Sequence, residues 1–269
     1  MMRQLLALAL LVLSSLPAHA SWTSVGTLGS NQSKTANKSS MSMTTSAAAE
    51  ASNMVVLVVT CDNNQTTDGD EGMVSGVTDS AGGNTWTKGK EFTNGQGTAQ
   101  TGATVSLWFS KLTNQINSGG TITAALTNNT TRDACGISAW EFTIGAGNVV
   151  TVEATNTLAN DGADFGSLNA TTSNAEFLRI RAGAVEMGDA ADFDVTPTTN
   201  WTEMTQNGTS GAGSATNMQV WGEFRISTGT SDASDPTHNT FPANDKASVY
   251  VALKEAAASV AARRRVIRW

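Results

Sequence analysis

Met54-Val55-Val56-Leu57-Val58-Val59-Thr60-Cys61 is apolar at seven of eight positions and stops at Asp62-Asn63-Asn64. A strand with one face in water alternates apolar and polar residues, because successive side chains point to opposite faces. This stretch does not alternate. Its β-branched composition, its length and the turn residues that close it predict a central strand covered on both faces. Moving outward, residues 104–112 read as a second strand, with Val105, Leu107 and Phe109 on one face and Trp108 on the other. Residues 120–126 alternate with period two and end at Thr127-Asn128-Asn129. In the next segment Ile137, Ala139 and Glu141 share one face, and Ser138, Trp140 and Phe142 share the other. Residues 149–154, 176–184, 218–226 and 246–253 complete the set. In the last of these Ala247, Val249, Val251 and Leu253 oppose Ser248, Tyr250 and Ala252.

Turn clusters separate these runs: Asp79-Ser80-Ala81-Gly82-Gly83-Asn84, Asn94-Gly95-Gln96-Gly97, Asn117-Ser118-Gly119-Gly120 and Asn207-Gly208. Gly and Asn tolerate positive φ, which tight turns demand. Many short strands, closely spaced turns and no long helical pattern predict an all-β antiparallel β-sandwich, jelly-roll-like, over residues 54–255. Residues 21–53, rich in Ser, Thr, Asn and Ala, read as a polar lead-in with at most a short edge strand. Residues 256–269 form a tail that is first Ala-rich, with a short helix expected across 255–262, and then Arg-rich. The phrases Trp140-Glu141-Phe142 and Trp221-Gly222-Glu223-Phe224 look alike, which shared strand chemistry explains without duplication.

The 269 residues include 16 basic and 23 acidic side chains, for a net charge of −7, and only 14% are charged. Such a body lacks the basic face that a nucleic-acid binder needs to displace counterions. Hydrophobic residues at 39% and seven Trp exclude a disordered chain. Residues 1–20 carry Arg3, an apolar run from Leu5 to Leu13 and the small-residue site Ala18-His19-Ala20, the pattern of a secretory signal. The expected location is therefore secreted or surface-exposed, and no later stretch is apolar enough to span a bilayer as a helix. Export permits disulfides. Cys61 and Cys135 either pair, closing a loop worth roughly 4 kcal/mol, or sit as two buried thiols in neighbouring strands.

The stretch Val77-Thr78-Asp79-Ser80-Ala81-Gly82-Gly83-Asn84-Thr85-Trp86-Thr87-Lys88, then Val105-Ser106-Leu107-Trp108-Phe109-Ser110-Lys111, then Ser138-Ala139-Trp140-Glu141-Phe142, resembles β-sandwich modules of phage-encoded, prophage-encoded and bacterial surface proteins. The likeness continues to Ala247–Leu253 and covers roughly residues 54–255. Its motifs are strand and turn phrases, so it implies a fold and a surface role and transfers no catalytic residue. Gly83 is an extra residue within the family's usual turn.

Catalysis requires a nucleophile with a base, a carboxylate pair or a metal. His238, the only histidine beyond residue 20, lies in a turn-like stretch, and Glu141 with Glu223 is the one strand-borne carboxylate pair worth placing. A solvated, half-buried position is expected for both glutamates. Asp62, Asp68 and Asp70 offer oxygens for Ca²⁺, with a plain acidic turn as the competing reading. Trp86 and Trp201, flanked by Thr and Asn, are the candidates for a glycan-stacking surface. Arg263, Arg264, Arg265, Arg268 and Trp269 are the candidates for an assembly contact with an acidic partner, against a solvated tail. The reading that follows is a non-enzymatic, exported structural or adhesive surface module, of phage or prophage origin and acting in a repeated assembly. Its expected partners are its own copies or other surface and virion proteins, and no cofactor is implied unless Ca²⁺ binds. The alternative is a secreted carbohydrate-binding domain, Ca²⁺-dependent or not, and behind it a glycan-active enzyme.

Overall fold

The computed structural model of the chain describes residues 22–62, 67–95, 102–127, 134–145, 147–162, 164–187, 195–211, 217–238 and 245–257. Within them run sixteen strands and no helix: β1 (Thr23–Ser33), β2 (Ser40–Thr44), β3 (Met54–Asp62), β4 (Val74–Asp79), β5 (Thr87–Gly95), β6 (Gly102–Lys111), β7 (Thr121–Leu126), β8 (Cys135–Thr143), β9 (Asn148–Asn160), β10 (Ala175–Met187), β11 (Val195–Thr196), β12 (Thr202–Glu203), β13 (Asn207–Gly208), β14 (Asn217–Gly229), β15 (Thr237–His238) and β16 (Lys246–Ala257). Every pairing among them is antiparallel. The chain is an all-β sandwich.

Three sheets stack. A central sheet, ordered β1-β8-β3-β6-β5, lies between a large outer sheet, β12-β14-β10-β16-β9 with β13 beside β14, and a small outer sheet, β2-β7-β4. The pleat of β3 explains the stack. Val56 and Val58 join Val105, Leu107, Leu178, Ile180, Val249 and Val251 in the core toward the large sheet. Val55, Leu57 and Val59 join Met41, Met43, Ile122 and Ala124 in the core toward the small sheet. Residues 54–61 are all buried, as the apolar run predicts, and the strand extends one residue further to a buried Asp62. Each such side chain contributes roughly 1.5–3 kcal/mol on burial, so the central strand holds two interfaces at once.

The lead-in boundary needs correction. Residues 22–53 belong to the sandwich: β1 pairs with β8 along its length, β2 pairs with β7, and Trp22 and Leu28 are buried. Their polar composition misleads because an edge strand is held largely by its main-chain ladder. The same reason hides β5, Thr87-Lys-Gly-Lys-Glu-Phe-Thr-Asn-Gly95, where no strand is expected from sequence. At the other end β16 continues to Ala257, so residues 255–257 extend the sheet instead of opening a helix; residues 258–269 lie outside the described residues.

Cys61 and Cys135 face each other in the β3–β8 register with Cα atoms 4.0 Å apart, and they form a disulfide. Sequence leaves two readings open; direct cross-strand opposition decides for the bond.

Candidate functional site

Phe177-Leu-Arg-Ile-Arg-Ala-Gly-Ala-Val185 of β10 sends Leu178, Ile180, Ala182 and Ala184 into the inter-sheet core. The alternate residues, Arg179 and Arg181 among them, point to the outer face of the large sheet. That face is not in water. Main chain around residues 164–172, 195–204 and 230–238 lies over it, and Phe165, Leu168, Val195 and Trp201 pack down onto Phe177, Val185, Trp221 and Tyr250. A loop pressed on a sheet buries carbonyls that need donors.

The two arginines are those donors. Arg181 Nη1 donates to Gly166 O at 2.7 Å and Ser234 O at 2.9 Å, and its Nη2 donates to Phe165 O at 3.0 Å. Arg179 Nη2 donates to Gly229 O at 2.6 Å and to Thr172 Oγ1 at 3.0 Å. Tyr250 Oη donates to Asp232 O at 2.7 Å. Glu223 completes the network by accepting Thr198 N at 2.7 Å, Thr198 Oγ1 at 2.8 Å and the Ser234 hydroxyl. The Arg181 guanidinium also lies 5.9 and 5.8 Å from the ring centres of Phe165 and Trp221. Burial lowers the Arg181 pKa to about 10 while the charges of Glu223, Asp235 and Asp164 oppose the shift, so the group stays cationic at neutrality.

Other buried carboxylates act alike. Glu91 accepts the amides of Gly72, Met73 and Val74 and lies 3.2 Å from Lys88 Nζ. Glu141 accepts Glu50 N at 2.8 Å and Asn53 Nδ2 at 2.7 Å. Glu255 accepts Gly145 N and, at 2.6 Å, Asn148 Nδ2. Each anion holds a connecting segment to a strand.

Glu141 and Glu223 do not form a pair. Phe142 and Phe224 meet edge to face across the inter-sheet core, with ring centres 4.9 Å apart. Glu141 and Glu223, one residue earlier on each strand, therefore point away from each other, Glu141 to the side of the central sheet that the small sheet covers and Glu223 to the outer face of the large sheet. Both are buried, not half-solvated.

The remaining sequence candidates disperse. Asp62 is buried at the end of β3, Asp68 Oδ1 accepts Gly95 N at 2.9 Å, and among the described residues no group of three or more His, Cys, Asp or Glu is placed to hold a metal ion. Trp201 is only 6% exposed and packs on Tyr250, so it offers no open stacking surface. Trp86 is half-buried, and its Nε1 donates to Asp79 Oδ2 at 2.8 Å. Asp79 Oδ1 also accepts Ala81 N and Asn84 Nδ2, while Gly82 and Gly83 sit at φ 68° and 74°. The turn phrase of the resemblance is thus a structural clasp, and Gly83 supplies its second left-handed residue. His238 lies in β15 opposite Val195. Arg263, Arg264, Arg265, Arg268 and Trp269 fall outside the described residues.

Comparison with family models, with curated proteins and with solved structures finds no match for this chain.

Two features escape the sequence reading. At one end of the large sheet Glu186, Asp245, Asp161 and Lys246 gather; Asn94 Nδ2 donates to Asp161 Oδ1 at 2.7 Å, and Lys246 Nζ donates to Gly162 O. Burial, with a hydrogen bond and charge from Asp245, pushes the Glu186 carboxyl up to about 8, and burial raises Asp245 as well. Glu186 is the last residue but one of β10 and Asp245 directly precedes β16, 245 − 186 = 59 positions later, so no local pattern joins them. The arginines left a usable signal: two cations at alternate positions of an otherwise apolar strand need a covered polar face.

Proposed function

We propose that this is a non-enzymatic, exported structural or adhesive surface module, of the kind its turn and strand phrases resemble in phage, prophage and bacterial surface proteins. One observation carries the reading: the buried ionisable groups Arg179, Arg181, Glu91, Glu141, Glu223 and Glu255 bond to loop amides and carbonyls or to loop side chains. Charge at these positions fastens connecting segments to sheets, which makes a stiff, loop-clad body suited to display or mechanical contact. The Cys61–Cys135 disulfide is compatible with export.

The test uses the full chain with residues 1–20, produced in a bacterial host, and a panel of glycan and ester substrates. Recovery outside the cytoplasm with Cys61 and Cys135 oxidised and no substrate turned over is the expected result. Cytoplasmic retention with free thiols, or turnover abolished by Glu223→Gln, overturns the reading.

A further inference from the structure

The inward row of β6 changes character at its end. Val105, Leu107 and Phe109 face the core between the central and large sheets, and the next residue on that side is Lys111. In the ladders Lys111 lies opposite Met54 of β3, and Thr87 of β5 lies opposite Phe109. A row that ends on a lysine and a threonine does not close the core. Between it and the start of β9 lies a hollow of about 240 Å³, floored by the buried Met54 and Phe109 and walled on one side by Val149 and Val150. Thr85 and Thr87, both exposed, stand at its mouth.

Lys111 is set apart from its counterparts by what it bonds. Lys88, Lys90 and Lys254 each have a carboxylate at ion-pair distance. Lys111 has none among the described residues, and its Nζ donates to Asn148 O. An ammonium carries three donors, so one carbonyl does not exhaust it. No residue around the hollow is acidic. Glu255, opposite Val150 in the ladder with β9, is already occupied by Gly145 N and Asn148 Nδ2. An apolar hollow with a few polar groups to fix orientation is the usual make-up of a small-molecule site.

We infer that this hollow binds a small amphiphile bearing a single carboxylate. Its apolar body lies on Met54, Phe109 and the two valines, and its carboxylate reaches Lys111 Nζ. The rest of the chain limits the ligand to one charge: a body of net charge −7 repels a polyanion, and Lys111 is the one cation among the residues around the hollow. A bare inorganic anion would lose hydration over Phe109 and gain nothing from it. The site is independent of the surface-module reading, since it asks nothing of export or assembly.

The experiment is a titration of the full, oxidised chain with hexanoate at low salt, followed by backbone amide chemical shifts, with hexylammonium and hexan-1-ol as controls. Saturable shifts confined to the residues around the hollow are expected, half-complete at about 1 mM. Hexylammonium should cause none, and hexan-1-ol should bind at least tenfold more weakly. Lys111→Met, which keeps the apolar bulk and removes the charge, should lower hexanoate affinity to that of hexan-1-ol. Absence of shifts at Met54, Phe109, Val149 and Val150 up to about 20 mM hexanoate, or shifts centred elsewhere, overturns the inference. So does equal binding of hexylammonium or hexan-1-ol, a comparison on the unaltered chain that decides the matter even where Lys111→Met does not fold. Hexanoate affinity unchanged in a folded Lys111→Met overturns it as well. Each of these results leaves the surface-module reading where it stands.

Discussion

The two faces of the large outer sheet are buried by different means. Its inner face presents Leu178, Ile180, Ala182, Val249 and Val251 to another sheet, and side chain meets side chain. Its outer face meets connecting chain, which brings carbonyls as well as side chains, and there Arg179 and Arg181 stand in line with Phe177 and Val185. Covering a sheet with another sheet requires only apolar matching, because both ladders satisfy their own polar groups. Covering it with loops requires donors for unpaired carbonyls, and a guanidinium supplies five in a fixed plane. The difference is a matter of who satisfies the backbone.

Breaking the outer face should have the largest effect. Arg181→Met keeps comparable bulk but strands the carbonyls of Phe165, Gly166 and Ser234 and leaves Glu223 without its nearby cation. We expect a loss of about 3–5 kcal/mol in chemical denaturation, whereas an inner-face Val249→Ala should remain within the range of an ordinary cavity. Equal costs on the two faces would remove the distinction. Reducing the Cys61–Cys135 bond, which links positions 74 residues apart, should cost about 2–5 kcal/mol, read as a drop in melting temperature under reductant.

Gly183→Ala sharpens the comparison at one atom. A Cβ there would lie 2.3 Å from Trp221 Nε1 on the outer face, and overpacking of this kind costs about 1–3 kcal/mol. The expected readout is a lower melting temperature together with a changed tryptophan emission.

The acidic end tests whether burial of charge always serves attachment. Folded Glu186 holds its proton to about pH 8, whereas the unfolded chain releases it near 4.5. The folded state therefore binds more protons across that window, so this contribution is complete below about pH 4.5 and is lost as pH rises through about 8. The melting temperature should fall from pH 5 to pH 9, and Glu186→Gln should flatten the slope. The smallest effect is expected for Arg225→Ala. Its partner Asp232 lies 2.7 Å away, but the arginine is a third exposed, and such pairs are worth under about 1 kcal/mol.

How much was legible follows from which groups do the holding. The faces of residues 105–109, 137–142 and 247–253 were readable because apolar alternation records which side is dry. β1 and β5 were not, since main-chain pairing at an edge leaves little mark on side-chain identity. The disulfide was readable as two options, and only the register of β3 against β8 chose one. The glutamates were misplaced for a definite reason: Glu141 and Glu223 look exposed beside aromatic residues, yet loops arriving from distant parts of the chain bury them.

Sequence by itself determined that this polypeptide forms antiparallel β-sheets around a doubly covered strand at residues 54–61, because hydrophobic period is a local property. Tertiary structure alone decided that a third sheet completes the stack, that loops roof the arginines on the outer face of the large sheet, and that Glu186 shares its surroundings with Asp245. Those outcomes depend on which segments meet across long separations, and a one-dimensional pattern carries no distance between them.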